Sequence, residues 1–159
     1  MGKFEVKKEQ AGAQIKMKLI GIIDEDVDFK EFSIAQASDL LIDLQDLKSI
    51  NSCGIREWIK WLGENSSGKI QMQNCPKVIV DQINMVEGFL PKNGKVVSFY
   101  VPYFNEDSGS EKNVLFRHGT EFTEAGVNPP AEVKDEGGQA MEMDVIESKY
   151  FKFITNSKS

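Results

Sequence analysis

Cysteine and histidine are scarce in this chain: two cysteines, Cys53 and Cys75, and one histidine, His118. The cysteines fall in different expected elements, so a disulfide framework is not expected. One histidine cannot build a His/Cys metal cluster, because a structural zinc site needs four good ligands. A Ser-His-Asp triad would have to use His118, and no serine sits among the glycines of a nucleophile elbow. No apolar run approaches the ~18–20 residues that cross a bilayer. Met1-Gly2-Lys3-Phe4-Glu5 holds no apolar core of a secretory leader, so a cytoplasmic location is expected. Basic blocks are missing as well, and the net charge is −6. Duplex nucleic acid is bound largely by neutralising phosphates, so nucleic acid is not an expected ligand. The same charge disfavours an anionic membrane surface. A mildly acidic surface instead favours basic patches on partner proteins.

What is present is ordinary for a globular protein. Apolar residues make up 40% and charged residues 28% of 159 residues, enough for one domain with a sizeable core or a domain of about 100 residues plus an extension. Phe4 and Val6 alternate with charged residues, as do Ile15, Met17 and Leu19, which predicts two half-buried strands joined by a turn at Gln10-Ala11-Gly12. Phe29 and Phe32 mark a short helix or turn after an acidic stretch, Asp24 to Asp28. The dense run Leu40-Leu41-Ile42-Asp43-Leu44 suits a central strand covered on both faces. Ile55, Trp58, Ile59 and Leu62 lie on one face of a helix, with Ser52 or Asn51 as its N-cap. Trp58 belongs to the core face, and Trp61, near its edge, is a candidate partner anchor.

Ile70 and Met72 predict another strand. Pro76 opens a helix carrying Ile79, Ile83, Val86 and Leu90, which Gly88 and Pro91 end. Val97, Phe99 and Val101 alternate as a further strand. The order is β-β-α-β-α-β-α-β, which implies an α/β fold with helices packed on a sheet through right-handed crossovers.

The stretch Leu40 to Leu62, LLIDLQDLKSINSCGIREWIKWL, resembles the core of the STAS domain, the module of anti-sigma-factor antagonists. There a buried hydrophobic-Asp-Leu strand leads to Asp-Ser-Ser/Thr-Gly and the start of a helix. The resemblance continues through Asn74-Cys75-Pro76 and Glu87-Gly88-Phe89 and covers about the first hundred residues. It implies a STAS-like mixed sheet of four or five strands with helices packed on it. It also implies a non-catalytic regulatory protein of bacterial type. The expected partner is a kinase-type anti-sigma factor, a transporter ATPase or a signalling complex. The implied docking surface is Asn51, Ser52, Cys53, Gly54, Arg56 and Glu57. By position Ser52 is the phospho-acceptor of the antagonist branch. Here Asn51 replaces the family's Asp, and Cys53 the following Ser or Thr. Ser52 is therefore read either as a helix cap alone or as a modified residue. No cofactor is expected, since no phosphate-cradling glycine loop with lysine is present.

The texture changes after residue 101, which divides the chain into 1–101 and a small β-rich extension, 102–159. Tyr103-Phe104, the polar loop Asn105 to Gly109, the strand Val114 to Phe116, and Lys134 to Gly138 resemble a zinc ribbon. Its ligand positions would be Asn105, Ser108, Lys134 and Gly137, none a thiolate, so a metal-free ribbon-like hairpin or two plain polar loops are the alternatives. Tyr100, Phe104, Phe116, Phe122, Tyr150, Phe151 and Phe153 then have to hold the extension by packing, on the sheet or between chains as a homo-oligomer. Such aromatics are usually core. His118 is read as a surface or hydrogen-bonded side chain.

Overall fold

The structure, a computed structural model, describes residues 4–156. Met1 to Lys3, on which the expectation about a leader partly rests, lie outside the described residues. β1 (Phe4–Ala11) and β2 (Gln14–Ile23) form an antiparallel hairpin in which Ala11 faces Gln14. Gly12 closes it at φ 61, a left-handed conformation that glycine adopts without a Cβ clash. Chemistry alternates along β2: Met17 and Leu19 are buried while Lys16 and Lys18 are only partly covered.

β3 (Asp39–Asp43) runs parallel to the first half of β2. The chain then jogs through Leu44–Asp46, and β4 (Leu47–Ile50) runs parallel to the end of β2 at Gly21–Ile23. α1 (Ser52–Gly63) follows, then β5 (Lys69–Gln73), α2 (Lys77–Met85) and β6 (Gly94–Val96). The sheet order is β1-β2-β3-β5-β6, with β4 also on β2, so one antiparallel edge is joined to a parallel body. The molecule is thus α/β with a mixed sheet. Leu40 and Ile42 of β3 are fully buried on one face, but Leu41 between them is only partly covered, beside Lys16 and Gln71, so the cover expected on both faces of this strand is found in full on one.

β7 (Ser98–Phe104) follows β6 after a break at Val97. Val97 N–H donates to Met72 O (2.8 Å) and Tyr100 N–H to Cys75 O (2.9 Å), so β7 stays attached to the end of β5. It then leaves to pair with β8 (Glu111–Arg117) on one side. β9 (Phe122–Thr123) and β10 (Gly126–Val127) form a small hairpin. β11 (Glu142–Met143) pairs with β7 on its other side. Two short helices end the described chain, α3 (Glu147–Tyr150) and α4 (Lys152–Asn156). The boundary expected between residues 101 and 102 falls inside β7.

Two aromatic groups hold the layers together. Phe99, on β7, has the rings of Phe122 (5.0 Å), Phe153 (5.2 Å), Phe116 (5.7 Å), Phe151 (6.0 Å) and Tyr150 (6.2 Å) around it. Each such pair contributes roughly 0.5–1.5 kcal/mol beyond area burial. The tail aromatics Phe116, Phe122, Tyr150, Phe151 and Phe153 are therefore buried in the chain's own core. Asn84 of α2 fastens them further: its Nδ2 donates to Tyr150 O (2.8 Å) and its Oδ1 accepts from Phe153 N–H (2.9 Å). Around α1, Trp58 stacks on Phe89 (5.1 Å) and Trp61 on Phe29 (4.6 Å).

Several expectations are corrected. Trp61 is not an exposed anchor: it is 1% exposed, and its Nε1 donates to Phe32 O (2.7 Å). The loop before β3 folds over α1 and widens the buried face of that helix. α2 stops at Met85 instead of running to Leu90. Val86 is extended (φ −111, ψ 111), and Gly88 turns left-handed (φ 86), which drives Phe89 under Trp58. The short helix or turn expected around Phe29 is present as a 3-10 turn, Phe29–Glu31. β4 and β6 were not expected, so six strands form the sheet.

Candidate functional site

Two parallel strands, β4 and β5, end at the starts of α1 and α2. In open α/β sheets this carboxyl end is where surfaces for binding are commonly built. β4 delivers Asn51, held by a hydrogen bond from its N–H to Ile23 O (3.1 Å). Asn51 is extended (φ −98, ψ 179), and its Oδ1 accepts from Gly54 N–H at 2.8 Å, so Asn51 is the N-cap. Its C=O accepts from Ile55 N–H (2.8 Å), the first intrahelical bond.

Ser52 is therefore not the cap. It is the first helical residue, exposed, and its hydroxyl makes no hydrogen bond among the described residues. Cys53 and Arg56 are exposed too, and Glu57 is half-covered. Glu57 forms a 3.6 Å surface pair with Lys60. Gly54 is different: it is buried, and a Cβ there would lie 2.4 Å from Ile23 O. Gly54 thus lets α1 start hard against β2 and presents no side chain of its own. The structure brings Asn51, Ser52, Cys53 and Arg56 together on the surface and places Gly54 beneath them.

Glu25 was missed by sequence reasoning. Asn51 Nδ2 donates to Glu25 Oε2 (2.8 Å), so the acidic loop after β2 is clipped against the start of α1. An aspartate at position 51 would cap as well but would face Glu25 with like charge. The asparagine that departs from the STAS pattern is thus matched to a carboxylate that arrives from elsewhere in the chain. No local pattern announces a partner 26 residues away.

The ends of β3 and β5 are tied by Asp43. Its carboxylate accepts from Gln45 N–H (3.0 Å), Asn74 Nδ2 (3.2 Å) and Gln73 Nε2 (3.3 Å). Asn74 is left-handed (φ 55), and its N–H donates to Ser98 Oγ (2.7 Å). Cys75 lies behind this network, and burial first, then the Asp43 charge, pushes its thiol well above the ordinary range. Cys75 is a core residue, not a nucleophile.

The loops of the extension meet. Asn105 Oδ1 accepts from Ser108 N–H (2.9 Å) and its Nδ2 donates to Ala140 O (2.8 Å). Ser108 Oγ donates to Asp135 Oδ2 (2.8 Å), while Asp135 Oδ1 accepts from Gly137 and Gln139 N–H, both at 2.9 Å. Those bonds, the Gln139 N–H first and then the Ser108 hydroxyl, hold the Asp135 carboxyl below its ordinary range. Lys134 pairs across to Ala140 as an isolated bridge, and Gly137 offers only backbone. Among the described residues no group of three or more His, Cys, Asp or Glu side chains is placed to hold a metal ion.

His118 Nε2 lies 2.9 Å from Glu124 Oε1, and Lys95 Nζ lies 3.2 Å from the same oxygen. The Glu124 carboxyl is held down at about 2, first by its own backbone N–H and then by His118 and Lys95. Through Lys95 the pair ties the β9–β10 hairpin to β6. No helix among the described residues is long and apolar enough to cross a membrane. Comparisons with protein-family models, with curated proteins and with solved structures found no match.

Proposed function

We propose that this chain is a non-catalytic, STAS-type docking protein that binds a partner protein through the start of α1. The observation that carries the proposal is the Asn51–Gly54 turn. Asn51 does the capping and Gly54 the close packing, which leaves the Ser52 hydroxyl exposed and unengaged beside Cys53 and Arg56. A serine spared from structural duty in this position is what a docking or modification site needs. The element order through β7, with helices following β4 and β5, agrees with the resemblance in the stretch from Leu40 to Leu62. The partner is of the kinase-type anti-sigma, transporter ATPase or signalling class, and the location is cytoplasmic.

Phosphorylation of Ser52 is the regulated form of the same proposal. A phosphate adds close to −2 charge at neutral pH. At the first turn of α1 the helix dipole welcomes that charge, but Glu25, clipped to Asn51, opposes it. Modification would therefore release the acidic loop and change the face offered to a partner. Assembly through the tail is less well supported, because five of its aromatics are consumed inside the chain.

The experiment is a pull-down from native cells with wild-type, Ser52→Asp and Arg56→Glu baits, read by mass spectrometry. A kinase, transporter or signalling protein retained by wild type and lost from both variants is the expected result. Equal recovery by all three baits, or recovery of no such protein, would remove the proposal. Phosphate labelling lost in Ser52→Ala would establish the switch, and labelling that survives this substitution would remove it.

A further inference from the structure

β1 is a free edge. It stands at one end of the sheet order β1-β2-β3-β5-β6, runs eight residues and is exposed from Lys7 to Ala11. The opposite edge, β6, has three residues, and its Lys95 is tied to Glu124 at 3.2 Å. A free edge is a row of unpaired N–H and C=O groups, a template for another strand.

The register shows which groups are free. The turn at residues 12–13 has two residues, so Ala11 and Gln14 close the hairpin as a hydrogen-bonded pair. Such pairs alternate along an antiparallel ladder, so Glu9, Lys7 and Glu5 also bond to β2. The N–H and C=O groups of Phe4, Val6, Lys8 and Gln10 therefore point off the edge. The far side of β2 agrees. Gly21, opposite Phe4, sends its N–H to Asp46 O (3.1 Å), away from β1.

Charged side chains on an edge ordinarily keep other chains off. Here their spacing excludes most self-pairings and suits one. Glu5, Lys7, Lys8 and Glu9 are exposed and form no ion pair among the described residues. Two copies related by a two-fold axis pair antiparallel, and the central residue then faces itself. A centre at Glu5, Lys7, Lys8 or Glu9 opposes like charges. Val6 is the uncharged centre in that run. Centred there, Val6 meets Val6 and Glu5 of each copy meets Lys7 of the other. Lys8 then comes beside Phe4, whose half-buried ring lies edge-on to Phe29 (5.9 Å) and Phe32 (6.3 Å). The aliphatic stem of a lysine covers such apolar surface. Opposite charges facing each other across two strands stabilise the pair, and like charges destabilise it.

We infer that the chain forms a weak two-fold dimer in which the β1 edges of two copies pair antiparallel about Val6, with Glu5 of each copy opposite Lys7 of the other. The surface lies on the sheet edge and leaves the start of α1 open. One strand edge is smaller than a standard interface, so a dissociation constant of roughly 10–300 μM is expected.

The test is sedimentation equilibrium of the full chain up to about 0.5 mM, which spans that range. Reducing buffer keeps the exposed Cys53 from forming disulfides. Wild type should move from monomer to dimer with concentration. Glu5→Lys sets lysine against lysine twice, and Lys7→Glu sets glutamate against glutamate twice. Each should weaken the dimer about tenfold or more. An equimolar mixture of the two variants should dimerise again, because each Lys–Lys or Glu–Glu contact becomes Lys–Glu. The double variant Glu5→Lys with Lys7→Glu should likewise regain the dimer. Both side chains are exposed, so melting temperatures in dilute solution should change little, and rescue by mixing shows that both variants fold. Arg56→Glu on α1 should have no effect. A monomer throughout overturns the inference. So does a dimer indifferent to both single variants, or one that they weaken and that neither mixing nor the double variant restores. A dimer lost in Arg56→Glu would place the contact on α1 and also overturn it.

Discussion

Asn51 uses both ends of one amide. The oxygen caps α1 and the nitrogen holds Glu25. Asn51→Ala removes both, and a lost cap costs about 1–2 kcal/mol. Urea denaturation should show that loss as a lower midpoint at unchanged slope. Gly54 allows a harsher test. A methyl group 2.4 Å from Ile23 O cannot be accommodated without moving backbone. Gly54→Ala should cost roughly 1–3 kcal/mol or more, even though alanine is the better helix former. A stabilised Gly54→Ala protein would show that α1 does not start against β2. At this scale the sequence was legible where chemistry is local: Asn51 or Ser52 before an apolar helical face is a cap signal. Which of the two caps was decided by the register of β4, and the Glu25 contact by a loop closing over it, so neither could be read locally.

Elements announced themselves in proportion to their periodicity. β1 alternates at Phe4 and Val6 and β2 from Ile15 to Leu19, and α1 and the start of α2 repeat apolar residues at helical spacing. β4 carries buried residues only at its two ends, Leu47 and Ile50, and β6 has three residues, too few for a period to show. Trp61 reads as an edge residue on an isolated helix. It is buried because Phe29 and Phe32, far away in sequence, wrap that side. The β9–β10 hairpin makes a prediction at this level. Glu124 has its ordinary 4.5 depressed to about 2 in the folded protein. A depressed carboxyl stabilises the fold above its unfolded value and loses that contribution as pH falls through the folded one. The melting-temperature gap between wild type and Glu124→Gln should thus be largest above about pH 5 and close as the pH approaches about 2. A gap independent of pH would mean that Glu124 is not held by its neighbours.

For the molecule as a whole, β7 is the seam. Its beginning belongs to the parallel sheet through Cys75, and its remainder to a second sheet with β8 and β11. Phe99 sits at that seam with five aromatic rings around it. Chemical denaturation followed by tryptophan fluorescence, which reports Trp58 and Trp61, and by near-ultraviolet dichroism, to which the Phe99 surroundings contribute, should give coincident curves. Separated curves would mean two units that melt independently. A polypeptide ending at residue 101 would strip Phe99 of its cover and should be recovered aggregated rather than as a soluble monomer.

Asn84 grips Tyr150 and Phe153 from a helix that precedes them by more than sixty residues. A protease that severs the exposed run at Asn128–Glu132 cuts a covalent thread without touching that grip. The two pieces should stay associated, run as one band on a native gel and part only in detergent. The segment around Tyr150 and Phe153 is thus a built-in ligand of the rest, and a peptide spanning it is a natural starting point for reassembling the protein from halves.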